Sequence, residues 1–399
     1  MKPSISVVMP THNRAPLLAR VLAAYEAQSG DFPFELIVVD DASTDDTRAL
    51  LEAYAARRFR LTPISLERNG GPGRARNLAM TKADAPLVAI VGDDIMPSET
   101  FLAGHLATHE SHPDTDLAVL GLTTWPDDLD LNSLMRHVDG PGAQQFSYTH
   151  MRDGQELDFR HFYTSNVSIK RSLLDRVPTW FDPDFVHAAY EDAEFAYRLT
   201  RAGGLRVRYT ASIRATHYHP YVVRTFASRQ YKCGLMASVF LGKHPELRSL
   251  WRTNRLDRLR RLVALPPLRG FLSRLTDAEI EAAQQTALAL GAECEAREGR
   301  SVDRIYLVLL EYFVLKGMLE GCFGVEGGRR PGAALLLFGL LHHLGVIVSD
   351  PESKDLRETT AGRALLEADA RYSAVRQSWP RGLRWLLLSP VRKMSVPGY

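Results

Sequence analysis

Asp93 and Asp94 stand side by side just after the apolar run Leu87–Val91, with Gly92 before them and Pro97 three residues beyond. Two adjacent carboxylates at the end of a buried strand repel each other and lose hydration, so a positive partner is expected. A divalent cation that itself carries a diphosphate would supply one. The plainer alternative is a solvated turn that caps a helix beginning near Pro97-Ser98-Glu99. Two more apolar runs end in polar loops of the same kind. Residues 4–9 stop at Pro10-Thr11-His12-Asn13-Arg14, and residues 35–39 stop at Asp40-Asp41-Ala42-Ser43-Thr44-Asp45-Asp46.

Such loops need strands to carry them. The runs at 4–9, 35–39 and 87–91, with a weaker one at 61–66, alternate with helical periodicity over 15–28 and 47–58 and with a helix opened by Gly70-Gly71-Pro72-Gly73. That alternation predicts βαβ units and a parallel sheet, in which all strand ends of one sense lie on one edge. Thr11, Asp41 and Asp94 can then line one pocket despite their separation in sequence. Beyond residue 100 a strand is expected over 117–124, a polar region over 125–160, a strand over 162–170, a helix from Glu191 to a stop at Gly203-Gly204, and a strand over 205–213. Past about residue 225 the pattern is helical. The fold class is therefore α/β with an all-helical C-terminal extension, divided as residues 1–225 and 226–399.

Composition narrows the partners. With 49 basic and 47 acidic residues the net charge is +2, which argues against nucleic-acid binding. Three widely spaced cysteines, Cys233, Cys294 and Cys322, fit no disulfide or metal framework and point to a reducing, cytoplasmic setting. No basic-plus-apolar leader opens the chain, and no window of eighteen uncharged apolar residues occurs, so neither a signal peptide nor a spanning helix is expected.

Five motifs in order carry a family resemblance. They are Ser6-Val7-Val8-Met9-Pro10-Thr11-His12-Asn13-Arg14, Val38-Val39-Asp40-Asp41, Gly71-Pro72-Gly73-Arg74-Ala75-Arg76-Asn77, Gly92-Asp93-Asp94, and Glu191-Asp192-Ala193-Glu194. Over residues 4–220 the chain resembles the family 2 glycosyltransferases of GT-A fold. The resemblance implies a nucleotide-diphosphate-sugar donor, a UDP-sugar first among them, with Mg²⁺ or Mn²⁺ and an inverting transfer to a saccharide or polyprenyl-linked acceptor. It implies Pro10, Thr11 and Arg14 near the nucleoside, Asp41 on the base and ribose, and Arg74 or Arg76 facing the donor. Asp94 is implied as metal ligand with Asp93 supporting it, and Gly92 stands where many members have a carboxylate. Glu191-Asp192 matches the catalytic element, with Asp192 as base. A late histidine, His217 ahead of His219, is implied at the metal, and Asn166 near the acceptor. The competing expectation is an inert sugar-nucleotide-binding scaffold of the same fold.

The C-terminal part adds a basic signature. Eight arginines fall between positions 248 and 274 against one acid, Asp257, and residues 379–393 are again basic with Trp385 and three consecutive leucines. Basic helices with Trp and Leu fit peripheral contact with an anionic membrane at its inner face, or a phosphate-bearing acceptor.

Overall fold

The computed structural model describes residues 2–249, 276–323 and 329–377. It divides into two compact units: residues 1–130 with 150–219, and residues 131–149 with 220–399. The split differs from the expected boundary in two respects, the first being that it falls after residue 219 and not 225. Residues 131–149 group with the helices and not with the α/β unit.

The α/β unit is one nine-stranded sheet of β1 (Ile5–Thr11), β2 (Phe34–Asp40), β3 (Arg60–Ser65), β4 (Leu87–Val91), β5 (Ile95–Pro97), β6 (Leu117–Thr124), β7 (Glu156–Leu157), β8 (Asn166–Lys170) and β9 (Arg206–His217). Their order is β3-β2-β1-β4-β8-β6-β9-β5, with β7 added alongside β9. The central strands are β1 (Ile5–Thr11), β2 (Phe34–Asp40) and β4 (Leu87–Val91), buried along their whole lengths. Their unbroken apolar runs are what a strand covered on both faces requires. Strand β3 (Arg60–Ser65) is the edge, and it carries Pro63 and alternating exposed residues, features that blunt an open edge. Alternate residues Val7, Met9, Leu36, Val38, Ala89 and Val91 pack with Leu18, Val21, Leu22 and Tyr25 of helix α1 (Ala15–Glu26) in one core.

The sheet is mixed and not purely parallel. Strands β1 to β4 run parallel, but β8 (Asn166–Lys170) inserts antiparallel between β4 and β6 (Leu117–Thr124). Strand β9 (Arg206–His217) runs parallel to β6, and the three-residue β5 (Ile95–Pro97) pairs antiparallel to it. The β6–β9 register jumps: Gly121 opposes Thr210, whereas Leu122 opposes Arg214. Residues 211–213 therefore bulge out of β9, and Asp153 Oδ1 holds the Ala211 N–H at 2.8 Å. Beyond the bulge, Ile95 of β5 stands opposite His217.

The second unit is helical. Helix α5 (Ser133–Asp139), capped by Asn132 onto the Met135 N–H at 2.9 Å, is fixed by Ser133 Oγ donating to the Cys294 carbonyl at 2.7 Å. His137 Nδ1 lies 2.7 Å from Asp303 Oδ1. These bonds explain why 131–149 belong with the helices. The longest contact runs between Val223–Lys243 and Arg300–Phe323, where a Cβ at Gly234 would come within 2.0 Å of the Val314 carbonyl and one at Gly317 equally close to that of Tyr231. Only glycine lets the two backbones approach so far. Among the described residues no helix is long and apolar enough to cross a membrane. The basic stretches expected at a membrane surface lie, from residue 250 to 274 and from 379 to 393, outside the described residues.

Candidate active site

The site is assembled at the C-terminal ends of β1 and β4 and at the end of β9. Thr11, the last residue of β1, is buried and donates its hydroxyl to Asp93 Oδ2 at 2.8 Å. Thr11 was expected beside a nucleoside, and its hydroxyl orients Asp93. Pro10 is likewise buried in β1, opposite Val39. Asp94 points the other way. Its Oδ2 is 3.1 Å from Arg14 Nη1, 3.1 Å from His219 Nδ1 and 3.5 Å from His217 Nε2. The Ile95↔His217 pairing carries His217 to this position, and the Tyr218 N–H donates to the Asp94 carbonyl at 2.8 Å.

Gly92 has a local reason. A Cβ there would meet Asp94 Oδ1 at 2.8 Å and Ile95 at 3.3 Å, so a side chain at 92 would collide with the carboxylate that the site presents.

Electrostatics divides the two aspartates. Burial pushes the Asp93 carboxyl up to about 6, with the Asp94 charge adding to the shift and Arg14 opposing it. Burial would also raise Asp94, but His217, His219 and Arg14 outweigh it and hold that carboxyl well below the usual range. Asp94, His217 and His219 present ligand atoms all within 4.8 Å of one another, a set that could hold a metal ion. Both histidines of the Thr-His-Tyr-His-Pro segment thus reach the cluster, as alternate residues of an extended chain can.

Asp41 sits in the neighbouring loop with a different attachment. Its two carboxylate oxygens accept the Gly70 and Gly71 N–H groups, each at 2.8 Å, and its carbonyl meets His12 Nδ1 at 2.9 Å. It fastens the glycine-rich loop that enters helix α3 (Pro72–Thr81), leaving only its remaining lone pairs for a donor. The turn-capping role falls to its neighbours. Asp40 accepts the Ser43 N–H at 3.0 Å, and Asp45 accepts that of Thr47 at 3.0 Å. Of the two arginines in α3, Arg74 is exposed and Arg76 is buried.

Arg76 reaches the second acidic pair. Its Nη1 lies 3.0 Å from Glu191 Oε1 in a buried ion pair at the start of helix α7 (Glu191–Gly203). Burial first, then the Asp192 charge, pushes the Glu191 carboxyl up to about 7. Glu191, expected as part of the catalytic element, is thus paired with Arg76 at the helix's first turn. Asp192 follows it, with Oδ1 accepting the Ala193 N–H at 2.8 Å. Among the described residues four non-glycine residues have left-handed backbone, and three of them (Asn13, Ala42 and Tyr190) enter these loops. Such conformations cost on the order of 1–3 kcal/mol each and gather where function over-determines the backbone.

One expected residue, Asn166, lies in the interior. Asn166 is fully buried, with Nδ2 donating to the carbonyls of Leu122 and Ile213 at 3.2 and 3.3 Å and Oδ1 3.0 Å from His105 Nε2. Ser168 Oγ continues the chain to His105 Nδ1 at 2.7 Å and His109 Nε2 at 2.9 Å. Both histidines lie on helix α4 (Phe101–Ser111). The Asn166 amide is thus bonded within the interior, with both of its N–H donors engaged. A residue missed in the sequence is Trp125, whose ring stacks on His217 at 5.4 Å and 14°. Its place directly after β6, beside the other strand-end loops, was the available signal.

Residues 6–178 match the family model described as Glycosyl transferase family 2. The match takes in somewhat less than half of the chain. The chain is 26% identical over 243 residues to the hyaluronan synthase of Pasteurella multocida, covering 54% of this chain and 24% of that protein. It is 30% identical over 270 residues to validoxylamine A glucosyltransferase of Streptomyces hygroscopicus subsp. jinggangensis, covering 61% of this chain and 62% of that one. The chain thus spans about a quarter of the length of the first relative and three-fifths of the second. A crystal structure of S. aureus TarS 1-349 in complex with UDP is 18% identical, with 84% of this chain and 90% of that one covered at a TM-score of 0.45.

Proposed function

We propose that this protein is an inverting, metal-dependent glycosyltransferase that moves a sugar from a nucleotide-diphosphate sugar to a saccharide or lipid-linked acceptor. The observation that carries the reading is the Asp94–His217–His219 set beside an Asp93 pinned by Thr11. One carboxylate and two imidazoles suit Mn²⁺ better than Mg²⁺, which prefers an all-oxygen shell. A cation held there supplies Lewis-acid neutralisation of the leaving diphosphate. The resemblance to family 2 glycosyltransferases favours a UDP-sugar as donor, and a relative named as a hyaluronan synthase supports a glycan-type acceptor.

The chain's own residues do the rest. The loop fastened by Asp41 offers glycine backbone for close approach to the donor. Asp192 takes the proton from the acceptor hydroxyl as it attacks the anomeric carbon, and the Arg76–Glu191 pair holds the turn from which it acts. No second catalytic acid is required, because a nucleoside diphosphate leaves as a stable anion.

Thermal-shift measurements with UDP, GDP and UDP-sugars, with and without MnCl₂, test the donor half. Stabilisation by a UDP-sugar that depends on Mn²⁺ is expected, and no response to any nucleotide would end the reading. Asp192→Asn tests the chemistry: donor binding persists while transfer falls by about 10²–10⁴-fold, the range for loss of a general base.

A further inference from the structure

Arg14 does more than neighbour the acidic pair. Its Nη1 lies 3.1 Å from Asp94 Oδ2, its Nη2 3.1 Å from His219 Nδ1, and its Nε 3.8 Å from Asp93 Oδ1. His219 Nδ1 also lies 3.1 Å from Asp94 Oδ2, so the Arg14 guanidinium spans both of these atoms. The same two atoms, with His217 Nε2, form the candidate metal set.

We propose that Arg14 is a built-in rival of the divalent cation, holding Asp94 and His219 in ligand-ready form until a metal ion displaces its guanidinium toward the anionic donor. The proposal rests on the metal reading above. Two positive groups on one carboxylate oxygen exclude each other, since like charges about 4 Å apart repel strongly even at a protein surface. The swing needs no backbone change. The Arg14 N–H is fixed on Thr47 Oγ1 at 3.1 Å and the next N–H on Asp45 Oδ2 at 3.1 Å, while the Arg14 side chain is 27% exposed. A released guanidinium fits phosphate oxygens in a two-point fork that a lysine lacks. Metal and nucleotide binding are thereby coupled through one side chain.

Calorimetric titration of the full chain with MnCl₂ alone, and with UDP at saturating MnCl₂, tests this. Arg14→Ala is expected to bind Mn²⁺ at least about fivefold more tightly, yet to bind UDP about tenfold more weakly once Mn²⁺ is present. Opposite signs separate this role from general damage to the site, which would weaken both. Arg14→Lys, a point charge without the fork, is expected to fall between wild type and Arg14→Ala for Mn²⁺. In the wild-type chain, phenylglyoxal modification of Arg14, followed by mass spectrometry, should accelerate when MnCl₂ is added without nucleotide. Unchanged or weaker Mn²⁺ binding by Arg14→Ala overturns the competition, as does a modification rate that ignores Mn²⁺; the latter decides the matter should the variant not fold. If wild type shows no Mn²⁺ binding sensitive to Asp94→Asn, the metal reading itself fails and the competition goes with it.

Discussion

Two clusters in the α/β unit contain the same ingredients, a pair of histidines and a polar partner, and behave differently. Asp94, His217 and His219 meet at the strand ends, where an acid and Arg14 leave charge to be balanced. His105, His109, Asn166 and Ser168 meet between helix α4 and strand β8, where neutral groups satisfy each other. Burial pushes the His105 ring down to about 4 and the His109 ring down to about 3, so both are neutral in the folded protein. Residue type alone does not make a site. An uncancelled charge beside solvent does, and a closed neutral network makes part of a core instead.

That contrast is broken most directly at Asp94. Asp94→Ala is expected to lower transfer by about 10³-fold or more, since it removes a ligand from the proposed Lewis-acid site. The melting temperature, followed by circular dichroism, should change by only a few degrees, and retained turnover would show that the strand-end cluster is not the site. The reverse pattern is expected for Asn166→Leu. It strands His105 and two buried carbonyls, costing about 3 kcal/mol in denaturant unfolding, while turnover per folded molecule holds. A selective loss of turnover would return Asn166 to the acceptor side.

The pH dependence sharpens the same comparison. His105 and His109 have folded pKa values below the unfolded value, so the unfolded chain binds more protons. Their contribution is complete above about pH 6.5 and is lost as pH falls toward about 4 and 3, at up to about 1.4 kcal/mol per pH unit for each ring. Asp93 and Glu191, raised to about 6 and about 7, shift stability the opposite way over the same range, so the decline is read as the difference between wild-type and His109→Gln melts between pH 7.5 and 5. The wild-type advantage should shrink as pH falls, and a difference independent of pH would mean that this ring is not held neutral. The smallest effect belongs to Arg74→Ala: an exposed side chain at the loop entry is expected to shift the donor KM by less than about twofold, in line with ordinary surface changes.

Much of this could be read before any coordinates. Strands β1, β2 and β4 announce themselves because unbroken apolar runs buried on both faces have few other uses, and their polar ends mark one edge of a sheet. The antiparallel insertion of β8 could not be read, because its only regular residues are Asn166–Lys170 and its partners lie about 50 and 80 residues away. The same distance hides Asn166, whose Thr-Ser-Asn-Val-Ser setting looks like a site until His105 and the Ile213 carbonyl are seen around it. Asp41 is a milder case: it belongs to the right edge, but the N–H groups that occupy it come from a loop 29 and 30 residues later. Local patterns report which face of an element is buried. They do not report which distant group will meet a polar side chain there.

The bulge at residues 211–213 acts on the site as a reading frame acts on a message. Upstream of it, β9 buries Val207 and Tyr209; downstream, the same alternation buries Ile213, Ala215 and His217, and the shifted register brings His217 opposite Ile95. Replacing a side chain inside the bulge leaves that register intact, whereas removing a single residue would present Tyr218 where the imidazole stands. In a library of variants this short stretch should therefore accept many spellings and almost no change of length, a signature visible in deletion scanning without any assay of binding.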